Sequence, residues 1–303
     1  MSEVAVTVVI ATYEEGAALA ATVASVLAGR PRPAEVLIVD DGSTDGSTGC
    51  SMDRGTWPPA VRVLRRAHEG IASARNAGAV AASQPVLVFL DAHCAVDPGW
   101  LAALLAAIDH EPEALAGPSM HDWREPRRAG CGARLVDPLF TYRWCQAGSD
   151  AVHAVGLVPG GCLAVRRAHL LAAGGFGPFR EFGLEDVDLS LRWWRAGWPV
   201  LGVPRSHVTH RFRPTAPYRP QHQAWLENVL TTALRHLSGA RLAETVRCCT
   251  RMAAFNGAIV AALGRLPPGA SIDGRPFDDY LRDWAPGAWP PDTDDGATIW
   301  RAA

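Results

Sequence analysis

No excess of charge, no leader-like start, no apolar run long enough for a membrane and no metal-type cysteine spacing mark this 303-residue sequence. Each absence removes a class of function. A net charge of −2 gives no electrostatic reason to expect nucleic acid as a partner. Met1-Ser2-Glu3 has no basic n-region, and the apolar run at 4–11 is too short for a signal-peptide core or a transmembrane segment. A cytoplasmic location is therefore expected. The seven cysteines are odd in number, only Cys248 and Cys249 are close in sequence, and no C-x-x-C pair occurs, so they read as reduced thiols. What is present is core-forming material: 48% hydrophobic and 20% charged residues, enough for one large or two ordinary domains.

The chain is organised around Val86-Leu87-Val88-Phe89-Leu90-Asp91-Ala92-His93-Cys94. Five apolar residues between Pro85 and Asp97-Pro98-Gly99 read as a strand buried on both faces, whose polar residues emerge at its carboxyl end. That end is where open α/β sheets bind ligands. Side chains alternate with period two in an extended chain, so Asp91 and His93 share one side. Locally they are either loop residues or a carboxylate and an imidazole able to grip one divalent cation.

Before this stretch the pattern is strand (4–11), helix (19–27), strand (36–39), strand (61–64) and a small-residue helix (70–82). The order β-α-β-β-α-β predicts a Rossmann-like, doubly wound, mostly parallel sheet with right-handed crossovers. The polar loops Thr12-Tyr13-Glu14-Glu15-Gly16 and Asp40-Asp41-Gly42-Ser43-Thr44-Asp45 then face one crevice.

Three blocks, Thr7-Val-Val-Ile-Ala-Thr-Tyr13, Val36-Leu-Ile-Val-Asp-Asp-Gly-Ser-Thr-Asp45 and Ala74-Arg-Asn-Ala-Gly78, resemble the nucleotide-binding half of family 2 glycosyltransferases. The resemblance implies the α/β GT-A fold. It also implies that Thr12, Glu14, Arg75 and Ala92 lie beside a nucleotide-sugar donor and that Asp41 accepts hydrogen bonds from a uracil-like base.

In the second half, a helix is expected at 100–108, and 117–155 is polar and unassigned, an acceptor-facing or linking region. Gly160 and Gly161 precede a strand, where the missing Cβ permits either a turn or close approach of backbone to a ligand. Phe182-Gly183-Leu184-Glu185-Asp186 opens a helix with an apolar stripe at Val187, Leu191 and Trp194. Its two acids either cap that helix or serve chemistry. In the resembled family a Glu-Asp pair here borders the acceptor site, which makes Asp186 the candidate general base, with Glu185 beside it.

Ser206-His-Val-Thr-His-Arg-Phe-Arg213, taken with Phe89-Leu-Asp-Ala-His-Cys94, resembles the polypeptide N-acetylgalactosaminyltransferases. There an Asp-x-His motif and a later histidine before an aromatic-Arg pair bind manganese. The resemblance implies Asp91, His93 and His210 as ligands of Mn2+ or another divalent cation, with His207 as scaffold. Either Arg211 or Arg213 would add charge to the donor's diphosphate; Arg213 fits the motif. That family is retaining and shows Glu-Asn where this chain has Glu185-Asp186, so inversion and retention both stay open.

The implied organisation is a glycosyltransferase domain over 1–215, with a nucleotide half at 1–110 and an acceptor and metal half at 111–215, followed by a C-terminal helical extension over 216–303. Helical patterns at 221–237 and 242–263 are placed to cover the site or to pack a partner subunit as a homo-oligomer. The implied activity moves a hexose or N-acetylhexosamine from a UDP-sugar to a hydroxyl or thiol of a peptide or small-molecule acceptor. Two readings compete: a sugar-phosphate nucleotidyltransferase, which needs a basic Gly-rich loop after the first strand, and a non-catalytic nucleotide-sugar-binding subunit.

Overall fold

The computed structural model describes residues 3–49, 57–213, 221–266 and 271–289. In the first half, β1 (Glu3–Thr12), α1 (Ala17–Ala28), β2 (Arg32–Asp40), β3 (Val61–Arg65), α2 (Ile71–Ala81) and β4 (Val86–Leu90) follow the expected order. These four strands run parallel, in the spatial order β4-β1-β2-β3. Every residue of β4 is buried, as its unbroken apolar run requires. The chain continues through β5 (Cys94–Val96), α3 (Trp100–His110), β6 (Leu115–Asp122), β7 (Ala129–Cys131), β8 (Ala133–Leu135), β9 (Tyr142–Trp144) and β10 (His153–Ala154). Then come β11 (Cys162–Arg166), α4 (Arg167–Ala172), α5 (Glu185–Arg195) and β12 (Val200–His210).

The main sheet runs β10-β12-β6-β11-β4-β1-β2-β3, with β5 on β12 and β7 on β6. It is mixed: β11 lies antiparallel to both neighbours, and β12 returns to parallel pairing with β6. The unassigned stretch 117–155 contains β6, β7, β10 and a separate antiparallel ribbon, β8-β9. The strands β7 to β10, of two or three residues, are too short to show a period, which is why the sequence pattern missed them; β6, of eight residues, was also left unassigned.

One apolar core fills each face of the sheet. Leu19, Val23 and Val26 of α1 and Leu101, Leu104 and Ile108 of α3 pack on one side. The other side takes α2 and α5, and also the C-terminal helices α6 (His222–His236), α7 (Gly239–Cys249), α8 (Phe255–Arg265) and α9 (Phe277–Trp284). Val229, Leu230, Ala258 and Tyr280 from those helices share a core with Val9, Leu37 and Phe89. The pattern at 242–263 is thus two helices interrupted around Thr250–Ala254, and α9 lies in a segment with no readable period. The 216–303 boundary falls among residues 214–220, outside the described residues. No helix among the described residues is long and apolar enough to cross a membrane.

The helix α5 corrects a second expectation. Instead of one apolar stripe, all residues from Glu185 to Trp194 are buried. Its acids therefore stand in the interior, where an unpaired charge is costly.

Candidate active site

The carboxyl end of β4 delivers Asp91 and the turn after it delivers His93. Backbone pairing of β12 with β5 sets His210 opposite Cys94, which brings a third group across 119 residues of chain. His210 Nε2 lies 3.3 Å from Asp91 Oδ2, and the rings of His93 and His210 are 4.6 Å apart. One ligand atom from each of Asp91, His93 and His210 falls within 4.8 Å of the others. Glu15 Oε1 holds His93 Nδ1 at 3.1 Å, leaving Nε2 as the ring atom open to a cation, the arrangement in which an outer carboxylate orients a ligating imidazole. Arg213 in turn grips Glu15, at 2.5 and 3.2 Å. His207, by contrast, sits near Asp97, at 3.4 Å.

Arg75, 2% exposed, joins this cluster to the acids of α5. Its guanidinium donates to Asp91 Oδ1 at 3.0 Å, to Glu185 Oε1 at 2.8 Å and to Gly160 O at 2.7 Å. These bonds make Arg75 an internal tie of the site, and it also lines the larger cavity. Asp186 Oδ2 accepts from Gly160 N at 2.7 Å and Oδ1 from Val187 N at 2.8 Å. Gly183 N–H donates to Glu185 Oε2 at 3.1 Å.

The glycines serve this packing. A Cβ on Gly160 would lie 2.9 Å from Arg75 Nη1, and one on Gly161 would lie 3.0 Å from Met120 and 3.3 Å from His210. Both positions are lean because site side chains press against them. That locates the close approach expected at Gly160 and Gly161 inside the protein.

Charge follows geometry. Burial pushes Asp91 up, but the His210 bond and the Arg75 charge outweigh it and hold the carboxyl well below its usual range. Burial and the neighbouring Asp186 charge raise Glu185 to about 7 against the pull of Arg75. Burial likewise raises Asp186, opposed by the Gly160 N–H and Arg75. With every carboxylate ionised, Glu15, Asp91, Glu181, Glu185 and Asp186 face Arg75, Arg211 and Arg213 around the larger cavity, a deficit of two positive charges. That deficit, the compact donor set and the unpartnered buried Nδ1 of His210 fit a divalent cation at Asp91, His93 and His210.

Two cavities meet here. The smaller, about 80 Å³, is lined by Thr12, Tyr13, Asp41, His68 and Ala92 among others. Thr12 Oγ1 is buried in its wall without a partner. Asp41 already accepts from Gly70 N at 2.8 Å and Glu69 N at 3.1 Å, and meets His68 Nδ1 at 2.8 Å, so it fixes the start of α2 as well as facing the cavity. The His68 ring stacks on Tyr13 at 4.1 Å. Glu14 lines neither cavity: its carboxylate accepts from Thr44 N and Oγ1, because its left-handed backbone turns the side chain toward that loop. Glu15 lines both cavities. The position expected of Glu14 is therefore held by its neighbour.

The larger cavity, about 540 Å³, is lined by Arg75, Asp91, His93, Gly160, Gly161, Glu185, Asp186, His210 and Arg213. Tyr142 and Trp144 of β9, Phe212, and Trp225 of α6 complete its wall. Sequence reasoning missed these aromatics, along with Glu15 and Tyr13. An Arg-Trp-rich polar segment was their only signal. The C-terminal helices do reach the site, through His222 and Trp225.

Comparison with known proteins fits this geometry. Residues 7–139 match the family described as Glycosyl transferase family 2. Polypeptide N-acetylgalactosaminyltransferase 12 of Mus musculus is 34% identical over 233 residues, 70% of this chain and 40% of that protein. Polypeptide N-acetylgalactosaminyltransferase 15 of Mus musculus is 30% identical over 236 residues, 72% and 37% of the two chains. The chain thus spans about two fifths of the length of these curated relatives. Among solved structures, GalNAc-T7 with UDP, GalNAc and Mn2+ superposes with a TM-score of 0.72 at 22% identity, covering 92% of this chain and 56% of that one. The mannosyltransferase PcManGT from Pyrobaculum calidifontis, in complex with GDP-Man and Mn2+, gives 0.52 at 18% identity, covering 92% and 79%. At these identities the structural likeness establishes the fold, which is GT-A.

Proposed function

From a GT-A fold in which residues 7–139 form a family 2 glycosyl transferase domain, we propose that the protein is a metal-dependent glycosyltransferase. It transfers a hexose or N-acetylhexosamine from a UDP-sugar to a hydroxyl or thiol of a peptide or small-molecule acceptor. The observation that carries this reading is the convergence of Asp91, His93 and His210 at the junction of the two cavities. The Mn2+ and nucleotide ligands of both solved relatives support it.

The nucleoside occupies the Thr12–Asp41 cavity and the sugar and acceptor occupy the larger one. Asp91, His93 and His210 hold the cation, which when bound supplies positive charge to the departing diphosphate. Glu15 orients His93, and Arg213 orients Glu15. Arg75 bridges Asp91 and Glu185 by bonding to both. Asp186 is the general base: its oxygens are fixed by two backbone N–H groups, and its raised pKa brings its basicity nearer neutral pH, where proton abstraction is most effective. With a base opposite the leaving group, an α-linked donor yields a β-linked product.

A nucleotidyltransferase is disfavoured, because the loop after β1 carries Glu14 and Glu15 where that chemistry needs cations.

The deciding experiment screens UDP-sugars for hydrolysis with Mn2+, then identifies acceptors by product mass. Asp186→Asn is expected to lower turnover on the order of 10² to 10⁴ while UDP affinity holds. An α-linked product by NMR removes Asp186 as in-line base, and Mn2+-dependent UDP binding without turnover on any acceptor leaves a binding subunit instead.

A further inference from the structure

Arg211, which lines the larger cavity, and Arg124, which shares an indole with it, play no part in the reading above. Arg211 follows His210, and its N–H donates to His93 O at 3.1 Å, so its backbone is fixed beside the metal cluster. Its side chain meets an indole rather than a carboxylate. The guanidinium carbon lies 4.8 Å from the ring centre of Trp123, an indole that is 44% exposed, and Arg124 approaches the same ring at 5.6 Å. Neither guanidinium forms an ion pair among the described residues. Arg213, two positions on, is engaged by Glu15.

Position separates the two roles. Arg211 lines the larger cavity and not the smaller one. Trp123 follows the end of β6, whereas the smaller cavity is built on β1 and β2, on the far side of β11 and β4. Of the three guanidiniums that line the larger cavity, Arg75 is paired with Asp91 and Glu185 and Arg213 with Glu15, whereas Arg211 has no ion pair among the described residues. Stacking on an indole restricts a guanidinium without neutralising it, which prepares it to meet an anion. The chain contains no lysine, and a guanidinium presents the planar fork that matches carboxylate and phosphate oxygens.

We propose that Arg211, seated on Trp123, selects acceptors that carry an anionic group, a carboxylate or a phosphate, next to the hydroxyl or thiol that receives the sugar. The proposal rests on the glycosyltransferase reading and narrows its acceptor class.

The test uses matched probes with the full chain, Mn2+ and the UDP-sugar that is hydrolysed. N-acetylcysteine and N-acetylserine are compared with their carboxamides, and a phosphoserine-cysteine dipeptide amide with its serine counterpart, as acceptors and as inhibitors of donor hydrolysis. The anionic form of a pair is expected to act with a kcat/KM, or an inhibition constant, better by about three- to tenfold. The carboxylate and phosphate arms report which anion is preferred. In Arg211→Gln the ratio should fall toward one, and added salt should shrink it in the wild type. Equal behaviour of both forms, including no effect of either, overturns the proposal, as does a ratio that survives Arg211→Gln. A loss in Arg211→Gln that appears equally with every probe and in UDP affinity places Arg211 on the donor side and also overturns it. Absence of both Mn2+-dependent UDP binding and donor consumption refutes the glycosyltransferase reading itself, and this inference with it.

Discussion

Arg75→Met tests the charge arrangement of the site most directly. The substitution keeps much of the side-chain volume and removes the single guanidinium bonded to Asp91, Glu185 and Gly160 O. Breaking a buried ion pair by deleting one partner costs about 3–5 kcal/mol, which for a chain of this size corresponds to roughly 10 °C in Tm. The loss should depend on pH with a defined sign. Glu185 titrates at about 7 in the folded protein against 4.5 when unperturbed, so its contribution to stability is complete below about pH 4.5 and is lost as pH rises through 7. Without Arg75 its folded-state pKa climbs further, and each unit of that climb costs about 1.4 kcal/mol at a pH above the new value. Thermal melts in chelator at pH 5.5 and pH 8 are therefore expected to show a larger deficit at pH 8. Mn2+ should restore part of it by returning positive charge beside Asp91. A deficit equal at both pH values, or below about 1 kcal/mol, would mean that Arg75 acts through packing and that the electrostatic account is wrong.

Three further outcomes are expected. Glu15→Gln, which weakens the orientation of His93, should lower Mn2+ affinity by about 10- to 100-fold in calorimetry, and an unchanged affinity would take Glu15 out of the metal site. Thr12→Val removes a buried hydroxyl that has no partner among the described residues. Apo stability should stay level or rise by up to about 1 kcal/mol while UDP affinity falls, and a loss of apo stability would show that the hydroxyl already has a partner. Asp188→Asn should cost about 3–5 kcal/mol in chemical denaturation, because Asp188 is fully buried between Arg192, Arg235 and His236 at 2.7–2.9 Å and joins α5 to α6; a cost under about 1 kcal/mol would refute that linkage.

The strands and helices of the first half were legible because their periods are local properties: five apolar residues before Asp91 make a buried strand wherever they are placed. Asp91 and His93, expected to share a side by strand alternation, lie past the strand's end, where a turn rather than period two sets their directions. The resemblance of the motif around His210 to a manganese-binding pattern singled out that residue as a candidate third ligand, and β12 carries it beside Asp91. A period specifies the face of an element but not what lies opposite it. Tertiary structure alone paired Arg75 with Glu185 across 110 residues and buried α5 on every side. It also gave the place expected of Glu14 to Glu15, through a left-handed backbone at Glu14 that no alternation rule anticipates. The same holds for Arg211 and Arg213, two positions apart, one turned to Trp123 and the other to Glu15. Their directions depend on which neighbours the folded chain supplies, an indole beyond β6 and a carboxylate beyond β1, and those neighbours lie about 90 and 200 residues away along the sequence.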